Sequence, residues 1–145
     1  MSEQAILSFT EREKPTYIAG PYSANTEGAL LRNIEKAMAV ANELMRAGHL
    51  VYCPHLSHHL ELHDNGGFGW QWWINYDLEW LRRCGRLVRI PGESLGADIE
   101  VAEALAIGMR VYWWDDAEDW AELLRMYAAP AEPGDILAAG SGSPR

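Results

Sequence analysis

Short apolar runs alternate with helix-length amphipathic segments along this chain, and no other feature limits its possible folds so strongly. Thr16-Tyr17-Ile18-Ala19-Gly20 reads as a strand closed by Gly20-Pro21. In the segment that follows, Leu30, Leu31, Ile34, Met38, Ala41, Leu44 and Met45 recur at helical spacing until Gly48 caps it. His49 to Cys53 forms a second strand ended by Pro54. Two strands joined by a crossover helix make the βαβ unit that parallel pairing requires. The pattern continues with a helix from about Trp70 to Cys84, a strand at 87–90, a helix at 97–107 and a strand from Arg110 to Trp114. Trp120, Leu123, Leu124 and Tyr127 give a last helix its apolar face. This alternation predicts an α/β, Rossmann-like fold: a single parallel sheet of four to five strands with helices on both faces.

With 145 residues the chain is long enough for one domain that buries roughly two thirds of its unfolded surface. That domain is expected over 16–128, after an N-terminal extension at 1–15. From Ala129 onward Pro, Gly, Ala and Ser dominate, so 129–145 reads as a flexible tail. Residues 55–67 are polar, rich in His and closed by Gly66-Gly67, the composition of a mobile loop over the strand ends. Cys53 and Cys84 are too few for a disulfide framework or a zinc ribbon. Their apolar surroundings predict buried thiols in a reducing compartment. The first ten residues lack the pattern of a signal peptide and no apolar run nears ~18 residues, so a cytoplasmic protein without membrane contact is expected. Twenty-one acidic against twelve basic residues leave a net charge of −9. Such a chain repels a nucleic-acid polymer but not a single nucleotide.

Parallel α/β sheets bind ligands beyond the carboxyl ends of their strands. Three segments reach that edge: Gly20-Pro21-Tyr22-Ser23, the helix carrying Asp77, and the turn from Ser94 to Glu100. In this turn Ser94 and Gly96 stand where the N–H groups of a starting helix point outward, and Glu100 lies one turn in. Ser94 also reads as an ordinary N-cap, and the two roles are compatible. Two carboxylates converging on such a crevice are what cleavage of a glycosidic bond needs, one attacking the anomeric carbon and one assisting the leaving group. Asp77 and Glu100 are the candidates, although spacing alone favours two solvated helix residues.

Trp70, Trp72, Trp73 and Trp80 surround Asp77, with Trp73 at i−4 and Trp80 at i+3. They read as core or oligomer contacts, or as an aromatic wall that stacks on a nucleobase and raises the carboxyl pKa. Trp113 and Trp114 read as packing residues. His55, His58, His59 and His63 with Asp64 have the spacing of a helical metal site, but no Cys partner or zinc pattern accompanies them. They are expected to be solvated or packed against a ligand, and neither metal nor cofactor is predicted.

Three stretches together resemble the nucleoside 2-deoxyribosyltransferase superfamily, in particular its 2′-deoxynucleoside 5′-phosphate N-hydrolases. They are Tyr17-Ile18-Ala19-Gly20, Asp77-Leu78-Glu79-Trp80-Leu81 and Ser94-Leu95-Gly96-Ala97-Asp98-Ile99-Glu100. The resemblance spans about residues 16–114. It implies that Glu100 is the nucleophile, that Asp77 contacts the sugar and assists base departure, that Tyr17 orients Glu100 and that Ser94 binds phosphate. It also implies a homo-oligomer, a dimer or tetramer. The expected substrate is a (deoxy)nucleoside 5′-monophosphate held by Gly20, Tyr22, Ser23, Ser94, Gly96 and Trp73, with base exchange or a catalytically silent nucleotide-binding module as alternatives. The chain departs from the family in having Cys84-Gly85 after the middle helix and no arginine between Gly20 and Gly28. Ser23, Asn25 and Arg32 are the nearest groups able to replace that arginine.

Overall fold

The structure, a computed structural model, describes residues 14–127. The expected N-terminal extension, apart from its last two residues, and the expected C-terminal tail lie outside the described residues. The chain order is β1 (Thr16–Ala19), α1 (Glu27–Arg46), β2 (Val51–Tyr52), a 3-10 turn (Pro54–Ser57), α2 (His58–Asp64), α3 (Trp70–Leu81), β3 (Arg86–Arg89), α4 (Leu95–Ala106), β4 (Arg110–Trp113) and α5 (Ala117–Arg125). The four strands form one parallel sheet in the order β2-β1-β3-β4.

Side chains alternate across the sheet and divide the core in two. Ile18, Val88 and Tyr112 face Val40, Ala41 and Leu44 of α1 and Leu123 of α5. Tyr17, Leu87 and Val111 face Leu81 of α3 and Ala97 and Ala104 of α4. The fold is therefore the α/β, Rossmann-like arrangement with helices on both faces. Side-chain caps start three of the helices. The Thr26, Ser94 and Asp116 oxygens accept first-turn N–H groups of α1, α4 and α5 respectively.

A buried polar chain closes the amino ends of the strands. Arg86 Nη1 donates to Thr16 Oγ1 at 2.9 Å, Thr16 Oγ1 lies 2.8 Å from His49 Nδ1, and His49 Nε2 lies 2.7 Å from the Leu123 carbonyl oxygen. A carbonyl only accepts, so Nε2 carries the proton, and in the neutral ring Nδ1 accepts the threonine hydroxyl. The chain ties β1, β3 and the entry to β2 to α5.

Several expectations are corrected here. Residues 55–67 are not a loop: they contain the 3-10 turn and α2, which stops at Asn65 and Gly66, both at positive φ. Their polarity concealed a segment anchored by the buried ring of His55. The second strand is only Val51–Tyr52, because His49 turns inward to its hydrogen bonds. Helix α3 ends at Leu81 rather than at Cys84, and α4 begins at Leu95 because Ser94 caps it. No helix among the described residues is long and apolar enough to cross a membrane.

Replacing His49 by Leu leaves the Leu123 carbonyl and the Thr16 hydroxyl without this partner. The expected loss is about 1–3 kcal/mol of unfolding free energy. It appears in urea titrations as a lower midpoint at unchanged slope, and an unaltered midpoint would show that the buried chain contributes nothing.

Candidate active site

From β1 the chain crosses to β2 on one side of the sheet, whereas from β3 it crosses to β4 on the other, so the loops after β1 and β3 part from each other. A crevice at such a switch point is where this class of sheet binds ligands. A cavity of about 470 Å³ opens there. The two loops start from strand ends in close contact. A Cβ on Gly20 would come within 2.9 Å of Ile90 Cβ, and one on Gly92, whose φ is +130°, within 2.7 Å of Pro21 Cγ. Glycine at both positions lets the loops share one rim.

Three elements bring functional side chains to the cavity. The loop after β1 contributes Gly20, Tyr22 and Ser23, α3 contributes Trp70, Trp73 and Asp77, and the start of α4 contributes Ser94, Gly96 and Glu100. Tyr17 stands behind this wall, with no exposed surface, and its hydroxyl donates to Glu100 Oε2. Its ring stacks on Tyr52 at 5.6 Å between centroids, and Tyr52 stacks on Trp80 at 5.1 Å.

Burial pushes both carboxyls up, Asp77 to about 7 and Glu100 to about 8. For Glu100 the Tyr17 hydrogen bond and the charge of Arg89 act in the opposite direction, and the charge of Asp77 adds to burial. Near neutral pH the pair therefore holds about one proton. The Tyr17 hydrogen bond favours the form with the charge on Glu100, whereas the deeper burial of Glu100 favours the form with the charge on Asp77. Burial and the neighbouring carboxylates raise the Tyr17 pKa, so the phenol keeps its proton throughout this range.

Ser94 Oγ accepts the Ala97 N–H at 3.1 Å, which leaves its own hydroxyl proton for another partner. The first-turn amides of Leu95 and Gly96 have no carbonyl above them in the helix. The rest of the wall is acidic: Glu61 and Glu93 also line the cavity, and no Lys or Arg does among the described residues. Asn25 and Arg32, expected as donors to a phosphate, are not part of the wall.

The tryptophans separate. Trp70 and Trp73 line the cavity, while Trp72 stacks on Phe68 and Tyr76 and Trp80 lies on Tyr52. Trp113, expected to be a packing residue, is 42% exposed beneath the Arg89 guanidinium, whereas Trp114 joins the core. The histidines are not arranged around a metal. His55 Nε2 lies 3.0 Å from the Pro21 carbonyl and His58 Nδ1 lies 2.7 Å from the Tyr22 hydroxyl. No group of His, Cys, Asp and Glu among the described residues is placed to hold a metal ion.

Arg89 was missed as a functional residue by the sequence reading. It is buried, donates to the carbonyls of Ile90 and Gly92 and forms an ion pair with Asp98 at 2.9 Å. It thus shapes the turn before α4 and brings a positive charge near Glu100. A cation in the otherwise apolar run Leu87-Val88-Arg89-Ile90 was the available signal.

Residues 14–113, more than half of the chain, match the model of a family described as a domain of unknown function, DUF7768, and the chain belongs to that family. No curated protein matches it.

The two carboxyls affect stability in a defined direction. Their ordinary values are 3.8 and 4.5, and both are raised in the folded chain, so folding favours the protonated forms. That contribution is complete below about pH 4 and declines as pH rises through about 8. The double substitution Asp77→Asn with Glu100→Gln removes the decline. Its melting temperature relative to wild type is expected to rise from about pH 4 to about pH 8 and to level off above that. A constant difference would mean that neither carboxyl is desolvated.

Proposed function

We propose that this DUF7768 domain is an N-glycosidase. It cleaves the base–sugar bond of a (deoxy)nucleoside 5′-monophosphate, giving a free nucleobase and a sugar 5-phosphate. The observation that carries this reading is the pairing on one cavity of a buried carboxyl, Glu100, with a half-buried one, Asp77, in different environments. Glu100 is held by a buried phenol, and Asp77 keeps one oxygen without a partner. The resemblance of the three motifs to the nucleoside 2-deoxyribosyltransferase superfamily supports the same assignment.

In this mechanism ionised Glu100 attacks C1′ of the sugar while Asp77 gives its proton to the departing base, and the C1′–N bond breaks. A glycosyl ester on Glu100 results. Water then attacks C1′ from the face the base has left, the ester bond breaks to restore the Glu100 carboxylate, and the water proton returns to Asp77. Two inversions give net retention. Tyr17 positions Glu100, Trp70 and Trp73 wall the base, and Ser23, Ser94 and Gly96 hold the 5′ end. If a second nucleobase replaces water, the same site exchanges bases.

The acidic wall favours a second reading of the substrate. Glu61 and Glu93 with no lining Lys or Arg among the described residues suit a neutral nucleoside better than a phosphate dianion. A homo-oligomer belongs to the proposal as well: Leu56, Leu60, Leu62, Phe68 and Trp72 are large apolar side chains left exposed along one segment. Its setting is the cytoplasm, with which the free thiols of Cys53 and Cys84 agree.

Incubation with matched pairs of nucleosides and 5′-monophosphates, with chromatographic detection of released base, tests both readings. Glu100→Gln is expected to lower kcat by about 10³-fold or more while ligand binding persists. Undiminished turnover in this variant would exclude the glycosyl ester. A higher kcat/KM for the free nucleoside would select the neutral substrate.

The pH profile of kcat/KM is expected to be a bell centred between about 7 and about 8, the two carboxyl values. Tyr17→Phe withdraws the bond that favours ionised Glu100 and moves the centre of the bell upward. A profile identical to wild type would exclude a positioning role for Tyr17.

A further inference from the structure

The cavity meets α3 along a single face. Trp70, Trp73, Ile74 and Asp77 follow one another at i, i+3, i+4 and i+7, and all four line the cavity. This face offers a bound base little to hydrogen-bond. Ile74 has no polar side-chain atom, and the indole nitrogen of Trp73 is buried out of reach. What remains is a pair of indoles and one carboxyl. The Trp73 ring is held in place by edge-to-face contacts with Phe68, Trp72 and Tyr76, at 5.8, 5.1 and 5.6 Å between centroids.

Asp77 is half-buried with its Oδ1 sealed inside the protein, so Oδ2 is the oxygen left to meet the cavity. No hydrogen bond or ion pair among the described residues compensates this carboxyl, and burial alone displaces its pKa. The titratable groups that feel its charge are Glu100 of α4, Tyr17 of β1 and Tyr52 of β2, all of them acids. The buried Arg89 is committed to Asp98 and to the carbonyls of Ile90 and Gly92. Compensation for Asp77 is therefore left for a ligand to bring.

A hydrogen-bond donor or a positive charge would serve, and the rest of the wall decides between them. Glu61, Glu93 and Glu100 line the same cavity, and no Lys or Arg does among the described residues. Aromatic rings and a negative field act together on a flat organic cation, which needs no matching donor or acceptor on α3. Resting on the N-glycosidase reading, we propose that Trp70, Trp73 and Asp77 form a pocket for a base with a fixed positive charge on its ring, a pyridinium or an N-alkylated purine. The inference concerns the base alone and is independent of what the 5′ end carries.

A base of this kind departs without a proton. As Glu100 bonds to C1′ the C1′–N bond breaks, and its electron pair neutralises the ring nitrogen, so the base leaves uncharged. Water then attacks C1′ and the ester bond breaks to restore the Glu100 carboxylate. The water proton passes to the Asp77 carboxylate and on to solvent, so the cycle releases one proton and both carboxylates are regenerated.

The cation 1-methylnicotinamide and neutral 3-methylbenzamide share one shape, differ in ring charge, and bind without turnover. Calorimetric titration of the full chain at about pH 8, where Asp77 is ionised, is expected to give the cation an affinity about 10-fold or more above that of the neutral probe. In Asp77→Asn the preference falls to about 2-fold or less while the neutral probe binds as before. The unmodified chain shows the same contraction at about pH 5, where Asp77 is protonated, so the result does not rest on the folding of a variant. The rim variant Glu61→Gln with Glu93→Gln keeps a preference of about 5-fold or more at about pH 8. Equal affinities at this pH, an undiminished preference in Asp77→Asn, its loss in the rim variant, or no binding of either probe would overturn the inference. Release of base from nicotinamide riboside or from 7-methyladenosine, ahead of the uncharged nucleosides, supports it and separates a pyridinium from an alkylated purine. Release from uncharged nucleosides with equal binding of the two probes would leave the hydrolase standing and remove this pocket. An Asp77-dependent preference with no release from any substrate would uphold the pocket and remove the hydrolase.

Discussion

The hydrogen bond from Tyr17 to Glu100 is the contact on which the site depends. Glu100 is 6% exposed and lies within the field of a second, half-buried carboxyl, Asp77, an arrangement that disfavours its charged form on two counts. The phenol opposes both and fixes the direction in which one carboxylate oxygen points. Tyr17 owes its place to the sheet, where it lies between Tyr52 of β2 and Leu87 of β3 in parallel register. A slip of one residue would turn its side chain to the opposite face and put Ile18 behind Glu100. The chemistry of the cavity is therefore coupled to strand pairing in the most buried part of the fold.

Arg89 complements this arrangement without entering it. Its guanidinium is committed to the turn carbonyls of Ile90 and Gly92 and to Asp98, so it acts on Glu100 only through its field. A direct ion pair would hold the carboxylate oxygens that a nucleophile must present to carbon. One neutral donor at contact and one cation at a remove keep Glu100 ionisable and its second oxygen available.

The sequence disclosed most of this because the signals were periodic or local. Strands with Tyr17, Leu87 and Val111 on one face and Ile18, Val88 and Tyr112 on the other stood out by composition, and Ser94 combined a cap with the start of a helix. Asp77 and Glu100 fell together because both elements end at the same edge of the sheet. Strand order was not legible, since it depends on which side of β1 each crossover packs. Short α2 was hidden by its polarity, because His55, its anchor, is buried by contacts from Pro21 and not by an apolar pattern of its own. Trp80 and Trp73 flank Asp77 equally in sequence, and only the position of Tyr52 assigns one to stacking and the other to the cavity.

The histidine cluster completes the site as scaffolding. Burial lowers the His55 pKa, so the ring is neutral, and a proton on Nε2 donates to the Pro21 carbonyl. His58 and Glu61 hold the Tyr22 hydroxyl at 2.7 and 3.3 Å. Together they bind the loop after β1 to the segment after β2, across the mouth of the cavity. Glu61 is thus fixed on the rim by the contact that orders the loop, and its negative charge faces the same space as Glu93. Loop order and ligand charge are consequently not independent. A wall stabilised by a Tyr–His–Glu contact carries an acid to the place where a substrate's 5′ end would lie, and a phosphate there must draw its compensation from the Ser94 hydroxyl and the first amides of α4.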